Sequence, residues 1–157
     1  LLVVADEGAE HEVVTRLARV GYDNVFGYLK GGVDAWKSSG KEVDTIERID
    51  ASEFAERFAE NKLRVVDVRK DGEYAAEHVD GAWHASLQFI NQEMAAFSKE
   101  ETNYVHCAGG YRSMIAASLL KSRGYHNLVE VRGGFNAIKQ TDIKVTDYVC
   151  PSTVIRK

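Results

Sequence analysis

The stretch His106-Cys107-Ala108-Gly109-Gly110-Tyr111-Arg112-Ser113 brings a thiol, two glycines and a guanidinium together. Before it runs the β-prone Thr102-Asn103-Tyr104-Val105. After it, Met114 to Arg123 is apolar at helical spacing and ends at Gly124. The cysteine therefore sits where a strand stops and a helix is about to begin. Unpaired amides of a first helical turn, aided by the helix dipole, favour an anion at that place. Gly109 and Gly110 can turn successive N–H groups inward as an anion-binding nest. Arg112 adds a full positive charge on a planar donor fork. Such a thiol should ionise below the free value of about 8.5 and act as a nucleophile at neutral pH. That chemistry requires the sulfur to be unusually acidic and not sealed in the core. A lone cysteine is ordinarily a small core residue, but here thiol, glycines, arginine and helix start fall within seven positions.

The elements that must position this loop are legible in outline. Ile46 to Ile49 reads as a strand after a polar linker, Lys41 to Asp50. A helix follows through Phe54, Phe58 and Ala59, with Asp50 or Ser52 as its cap. Leu63 to Val68 is a β-branched run without alternation, as in a parallel strand buried on both faces. Asp71-Gly72 marks a turn, Glu73 to Glu77 a short helix, and Ala82 to Ala85 a further strand. Gln88 to Ser98, with Phe89, Ile90, Met94 and Phe97, predicts a helix with an apolar stripe. Val129 to Val131 is a strand and Phe135 to Gln140 a helix. Alternation of this kind implies a parallel α/β sheet, with ligands beyond the carboxyl ends of its strands. Cys107 lies at such an end.

With 157 residues, 45% hydrophobic and 28% charged, the chain has the composition of an ordinary globular protein. A net charge of −4 with dispersed lysines and arginines argues against nucleic acid or an anionic membrane as partner. No apolar run approaches the length of a membrane span. The opening Leu1-Leu2-Val3-Val4 reads as an internal start. Cys107 and Cys150 form no disulfide framework and no zinc motif, which points to a reducing, cytoplasmic compartment. His11, His78, His84, His106 and His126 show no ligand spacing and read as structural or solvated; no metal is expected.

Cys107 to Arg112 reads C-x-x-G-x-R, which resembles the active-site loop of a rhodanese (sulfurtransferase) domain. The resemblance runs over roughly residues 46 to 146. Val66-Asp67-Val68-Arg69 resembles the family's D-V-R strand end, and Glu73-Tyr74 with His78 to Ala82 its E-[FY]…G-H-I-P-G-A segment. Leu128 to Ala137 is similar to the family's terminal strand and GG-x-x-A-W helix. Asp80 and Leu87 replace usual prolines and Ile138 a common tryptophan, none of them touching the sulfur chemistry. The resemblance implies an α/β fold, a rhodanese-like five-stranded parallel sheet flanked by helices. It implies transfer of a sulfane sulfur from thiosulfate or a low-molecular-weight persulfide to a thiol or cyanide through a Cys107 persulfide, without a cofactor. The terminal sulfur would rest on the loop amides of Ala108, Gly109, Gly110, Tyr111 and Ser113. Arg112 would orient the anionic donor, Tyr111 could face the substrate, and Asp67 and Arg69 would support the loop. A cysteine phosphatase or arsenate reductase is the rival on this fold, but those enzymes place five residues between cysteine and arginine, against the four here. A non-catalytic binding module is the other.

Residues 1–45 repeat the end of this domain at an offset of about 102: Gly8 with Gly110, Leu17 with Leu119, Gly31-Gly32 with Gly133-Gly134. They resemble the C-terminal part of a degenerate rhodanese-like domain, followed by a complete one (46–146) and a tail (147–157). Ala5 replaces the cysteine, and Asp6, Glu7 and Glu10 stand where the later copy gathers donors, so this copy is expected to be catalytically dead. A half domain exposes sheet surface and a strand edge. The second domain, a partner chain (a second copy included) or a longer parent protein would cover them. The tandem arrangement also resembles the rear of metallo-β-lactamase-fold fusions, which would put such a domain upstream.

Overall fold

The computed structural model describes residues 1–150. They form two compact units, one of Leu1–Thr45 and one beginning at Ile46.

In the first unit, strand β1 (Leu2–Val3) pairs in parallel with β2 (Gly27–Tyr28). Helix α1 (Glu10–Arg19) connects them, and α2 (Gly32–Ser38) follows. No side chain caps α1; Glu10 and Glu12 put negative charge in its first turn instead.

The second unit holds five parallel strands in the order β3-β7-β6-β4-β5. These are β3 (Glu47–Ile49), β4 (Arg64–Asp67), β5 (Trp83–His84), β6 (Asn103–His106) and β7 (Leu128–Val131). The order places β6, the strand that delivers Cys107, in the middle. β-Branched Val65, Val66 and Val105 are almost wholly buried, as a strand covered on both faces requires. On one face α5 (Tyr111–Lys121) sets Ala116, Ala117 and Leu120 against Val66, Val105 and Leu128. On the other, α3 (Ala51–Glu60) and α6 (Gly134–Ile138) bury Phe54, Phe135 and Ile138 with Val65, Tyr104 and Val131. Helix α4 (Asp71–Ala76) follows β4 directly.

Two local expectations fail. The segment Gln88 to Ser98 is not one helix but two short 3-10 turns, Leu87–Phe89 and Met94–Ala96. Ile90 and Phe97 still reach the core from them, so the apolar stripe reported burial, not helix length. Asp50 stands at the N-cap of α3 without bonding its amides through the side chain. Beyond α6 the chain doubles back: Val145 bridges Val79 antiparallel, Thr146 N donates to His78 O at 2.9 Å, and Val149 N to Ala76 O at 2.7 Å.

Candidate functional site

Cys107 leaves the carboxyl end of β6 and enters a loop whose carbonyls are pinned on one side. Cys107 O accepts from Phe135 N at 2.6 Å, and Ala108 O from Asn136 N at 3.1 Å, both amides of the first turn of α6. Gly134 makes this approach possible, since a Cβ there would overlap the carbonyl oxygen of Cys107 and its φ is +55°. Peptide planarity then turns the following N–H away from α6. The amides of Gly109, Gly110 and Ser113 converge on the Cys107 sulfur. Gly110 N donates at 3.1 Å, and Gly110 holds φ +102°, the left-handed step from which α5 begins.

Burial pushes the Cys107 thiol up. The Ser113 hydroxyl and the amides of Ser113, Gly110 and Gly109 outweigh it, and the thiol settles below its ordinary value. Its exposure is 1%, and it adjoins the core through Val105 and Ala116. So the sulfur meets the acidity requirement while lying almost closed to solvent. The donors separate it from an inert core cysteine, which has none aimed at it. In the loop itself Ala108 is half-exposed and Gly109 exposed.

Arg112 does not donate to the sulfur. Its fork closes on Glu73 of α4, Nη1 to Oε2 at 2.6 Å and Nη2 to Oε1 at 2.9 Å. Hydrogen bonding by Arg112 holds the Glu73 carboxyl below the usual range, and the Cys107 charge acts on Arg112 only through space. Tyr111 is 80% exposed. It lines a shallow groove of about 330 Å³ with Met114, Ile115, Ser118 and Leu119.

Asp67 and Arg69, both buried, form a closed pair behind the loop. Arg69 Nη2 donates to Asp67 Oδ2 at 2.6 Å, Arg69 N to Oδ1 at 2.9 Å, and Nη2 also to Glu77 O at 2.7 Å. The guanidinium lies 3.9 Å over the Phe135 ring, tying β4 to α6. His106 is fully buried, and burial pushes its imidazole below the ordinary value, so it is neutral at neutral pH. Its Nε2 has no hydrogen-bond partner among the described residues.

Two participants were not singled out from the sequence. Glu73 entered only as part of a family motif, and Glu130, a charged residue in a core strand, drew no notice. Glu130 is fully buried, accepts from Arg48 Nε at 2.8 Å and from Ser113 Oγ at 2.8 Å. A charge inside an otherwise apolar strand, Leu128-Val129-Glu130-Val131, is the signal that could have found it.

No group of three or more metal-binding side chains occurs among the described residues. No helix there is long and apolar enough to cross a membrane. Cys150, the other cysteine, is exposed.

A model of the rhodanese-like domain family matches residues 50–141. The thiosulfate sulfurtransferase GlpE of Pseudomonas paraeruginosa is 33% identical over 92 residues, covering 59% of this chain and 83% of that protein. The putative sulfur carrier protein YrkF of Bacillus subtilis is 26% identical over 106 residues, 67% of this chain; the match spans only 55% of that relative's length. The crystal structure of a rhodanese-like domain protein from Staphylococcus aureus is similar with a TM-score of 0.58 at 29% identity, over 65% of this chain and 100% of that one.

Proposed function

The chain belongs to the rhodanese-like domain family, and from that premise we propose that it is a sulfurtransferase working through a persulfide on Cys107. The convergence of the Gly109, Gly110 and Ser113 amides on Sγ carries the reading. The thiolate attacks the outer sulfur of thiosulfate; a new S–S bond forms, the old one breaks, and sulfite leaves with the electron pair. The terminal sulfur of the persulfide then rests on the loop amides of residues 108 to 113. Cyanide or a thiolate attacks that sulfur, and the Cys107 thiolate leaves as it entered. Two half-reactions of this kind give ping-pong kinetics. A low-molecular-weight persulfide serves as donor by the same displacement. Arg112 gives two N–H donors to Glu73, so it meets the donor's negative charge as half of an ion pair. Tyr111 flanks the approach, and Asp67 with Arg69 fixes the strand end behind it. The nucleophile requires a reducing compartment, and we place the protein in the cytoplasm.

We read residues 1–45 as the rear of a degenerate unit of the same fold. In both units a Gly-Gly pair with positive φ opens the last helix, at φ 75° and 57° for Gly31 and Gly32, and at 72° and 55° for Gly133 and Gly134. A Cβ on Gly32 would meet Ala5 O at 3.1 Å, as one on Gly134 meets Cys107 O. Ala5 thus occupies the place of the cysteine.

The 1% exposure of Cys107 favours one second reading, a binding module that keeps the fold without turnover. Thiocyanate formation from thiosulfate and cyanide by wild type and Cys107→Ser decides. The sulfurtransferase reading expects turnover in wild type and loss to background in the variant. Absence of turnover with thiosulfate and with persulfide donors, while iodoacetamide leaves Cys107 unmodified, establishes the binding module.

A further inference from the structure

Behind the sulfur lies a buried anion that the transfer reaction does not call for. Ser113 Oγ stands 2.8 Å from Glu130 Oε1, 3.0 Å from Gly110 O and 3.5 Å from Cys107 Sγ. Ser113 and Glu130 are both fully buried. A hydroxyl has one proton, so these contacts compete. The carboxylate is the nearer acceptor, and a charged one. On the far side Arg48 of β3 neutralises Glu130 through Nε at 2.8 Å. The carboxylate lies directly under the loop, for a Cβ on Gly110 would come within 3.3 Å of Oε1. Neutral His106 of β6 faces Glu130 through space, and Arg112 faces Cys107 in the same way. A buried carboxylate is costly even when paired, and an apolar residue at this strand position would pack without that cost.

We propose that Glu130 is a positioning residue for the sulfur chemistry: it accepts the Ser113 hydroxyl's hydrogen bond while Cys107 carries sulfur and gives that bond up to Sγ when the thiolate leaves. The inference rests on the sulfurtransferase reading. In the persulfide the inner sulfur is uncharged, and the hydroxyl hydrogen points to Glu130. When the acceptor removes the outer sulfur, negative charge returns to Sγ. The hydroxyl then turns by rotation about its C–O bond, and Arg48 is left to hold Glu130. No proton leaves Ser113. Glu130 thereby limits how acidic the thiol is at rest and keeps the sulfur nucleophilic, since a thiolate that is too well stabilised attacks slowly.

The test is the pH profile of Cys107 alkylation by iodoacetamide in the full chain. Glu130→Gln keeps the shape and the Arg48 contact but is a weaker claimant for the proton. It should lower the alkylation midpoint by about one pH unit, and most of that shift should vanish in a Ser113→Ala background. Superimposable profiles for wild type and Glu130→Gln overturn the proposal, as does a shift that persists in full without the hydroxyl. Should Glu130→Gln fail to fold, Arg48→Gln replaces it: a carboxylate without its cation holds the proton harder, and the midpoint should rise. No rise overturns the proposal equally. A wild-type midpoint at or above that of free cysteine defeats the sulfurtransferase reading instead, so the two failures are distinguishable.

Discussion

Arg112 shows how one residue's role changes when its partner is known. Spacing alone gives it a free charge beside the thiol; the fold gives that charge to Glu73, 39 positions earlier. Sequence proximity reveals a cation near the nucleophile but not the carboxylate that a distant turn brings against it. The pair also has a pH signature. Arg112 depresses the folded-state pKa of Glu73, so its contribution is fully present above the unfolded value of about 4.3 and is lost as pH falls through the depressed folded value. For a half-exposed pair this contribution is about 1 kcal/mol or less. Urea titrations between neutral pH and pH 3 should show wild type losing that increment at the acid end, and Glu73→Gln should not. Equal acid slopes would mean that the pair is broken in solution. The sulfur itself was legible because the thiol and the groups that donate to it lie within seven consecutive positions. Glu130 was not, because its meaning depends on Arg48 and Ser113, which reach it from β3 and α5.

At the level of elements, the helix that follows the last strand matters more to the site than the helix that follows the cysteine. Helix α5 supplies donors from its own first turn. The loop is held in shape by α6, whose Phe135 and Asn136 amides fix the carbonyls of Cys107 and Ala108. Gly134 is the point of closest approach, so Gly134→Ala should cost roughly 2–4 kcal/mol through a forbidden φ and an overlap with Cys107 O. It should also raise the thiol midpoint, because a released Ala108 carbonyl no longer fixes the Gly109 amide. Chemical denaturation and the alkylation profile measure the two effects, and an unchanged profile would show that the loop keeps its shape without α6. The Gly-Gly pair stands out in the sequence, but which carbonyl it approaches emerges only when β7 lies beside β6. The misjudged helix at Gln88 to Ser98 has a related cause. Apolar spacing of three and four residues fits successive 3-10 turns as well as one α-helix, and nothing local distinguishes them.

For the chain as a whole, the contrast between the units lies in burial. The second unit buries a core on both sheet faces. Among residues 1–45 only Val3 is buried, while Leu2, Val20, Phe26 and Val33 are each more than half exposed. A unit with so little apolar area removed from water has little to set against its conformational entropy. A strand pair of two residues each adds little cooperativity. The first unit should therefore open far more often than the second, and proteolysis tracks the population of the open form. Lys37 and Lys41 are exposed, and the segment from Lys41 to Thr45 has no regular structure. Brief trypsin treatment should cut there and leave a resistant fragment beginning at Glu42 that keeps Arg48, Cys107 and Glu130. Mass spectrometry of the digest gives its start. If instead residues 1–45 survive intact as long as the rest of the chain, the exposed apolar side chains are covered in solution. The second unit or a partner chain would then supply the cover.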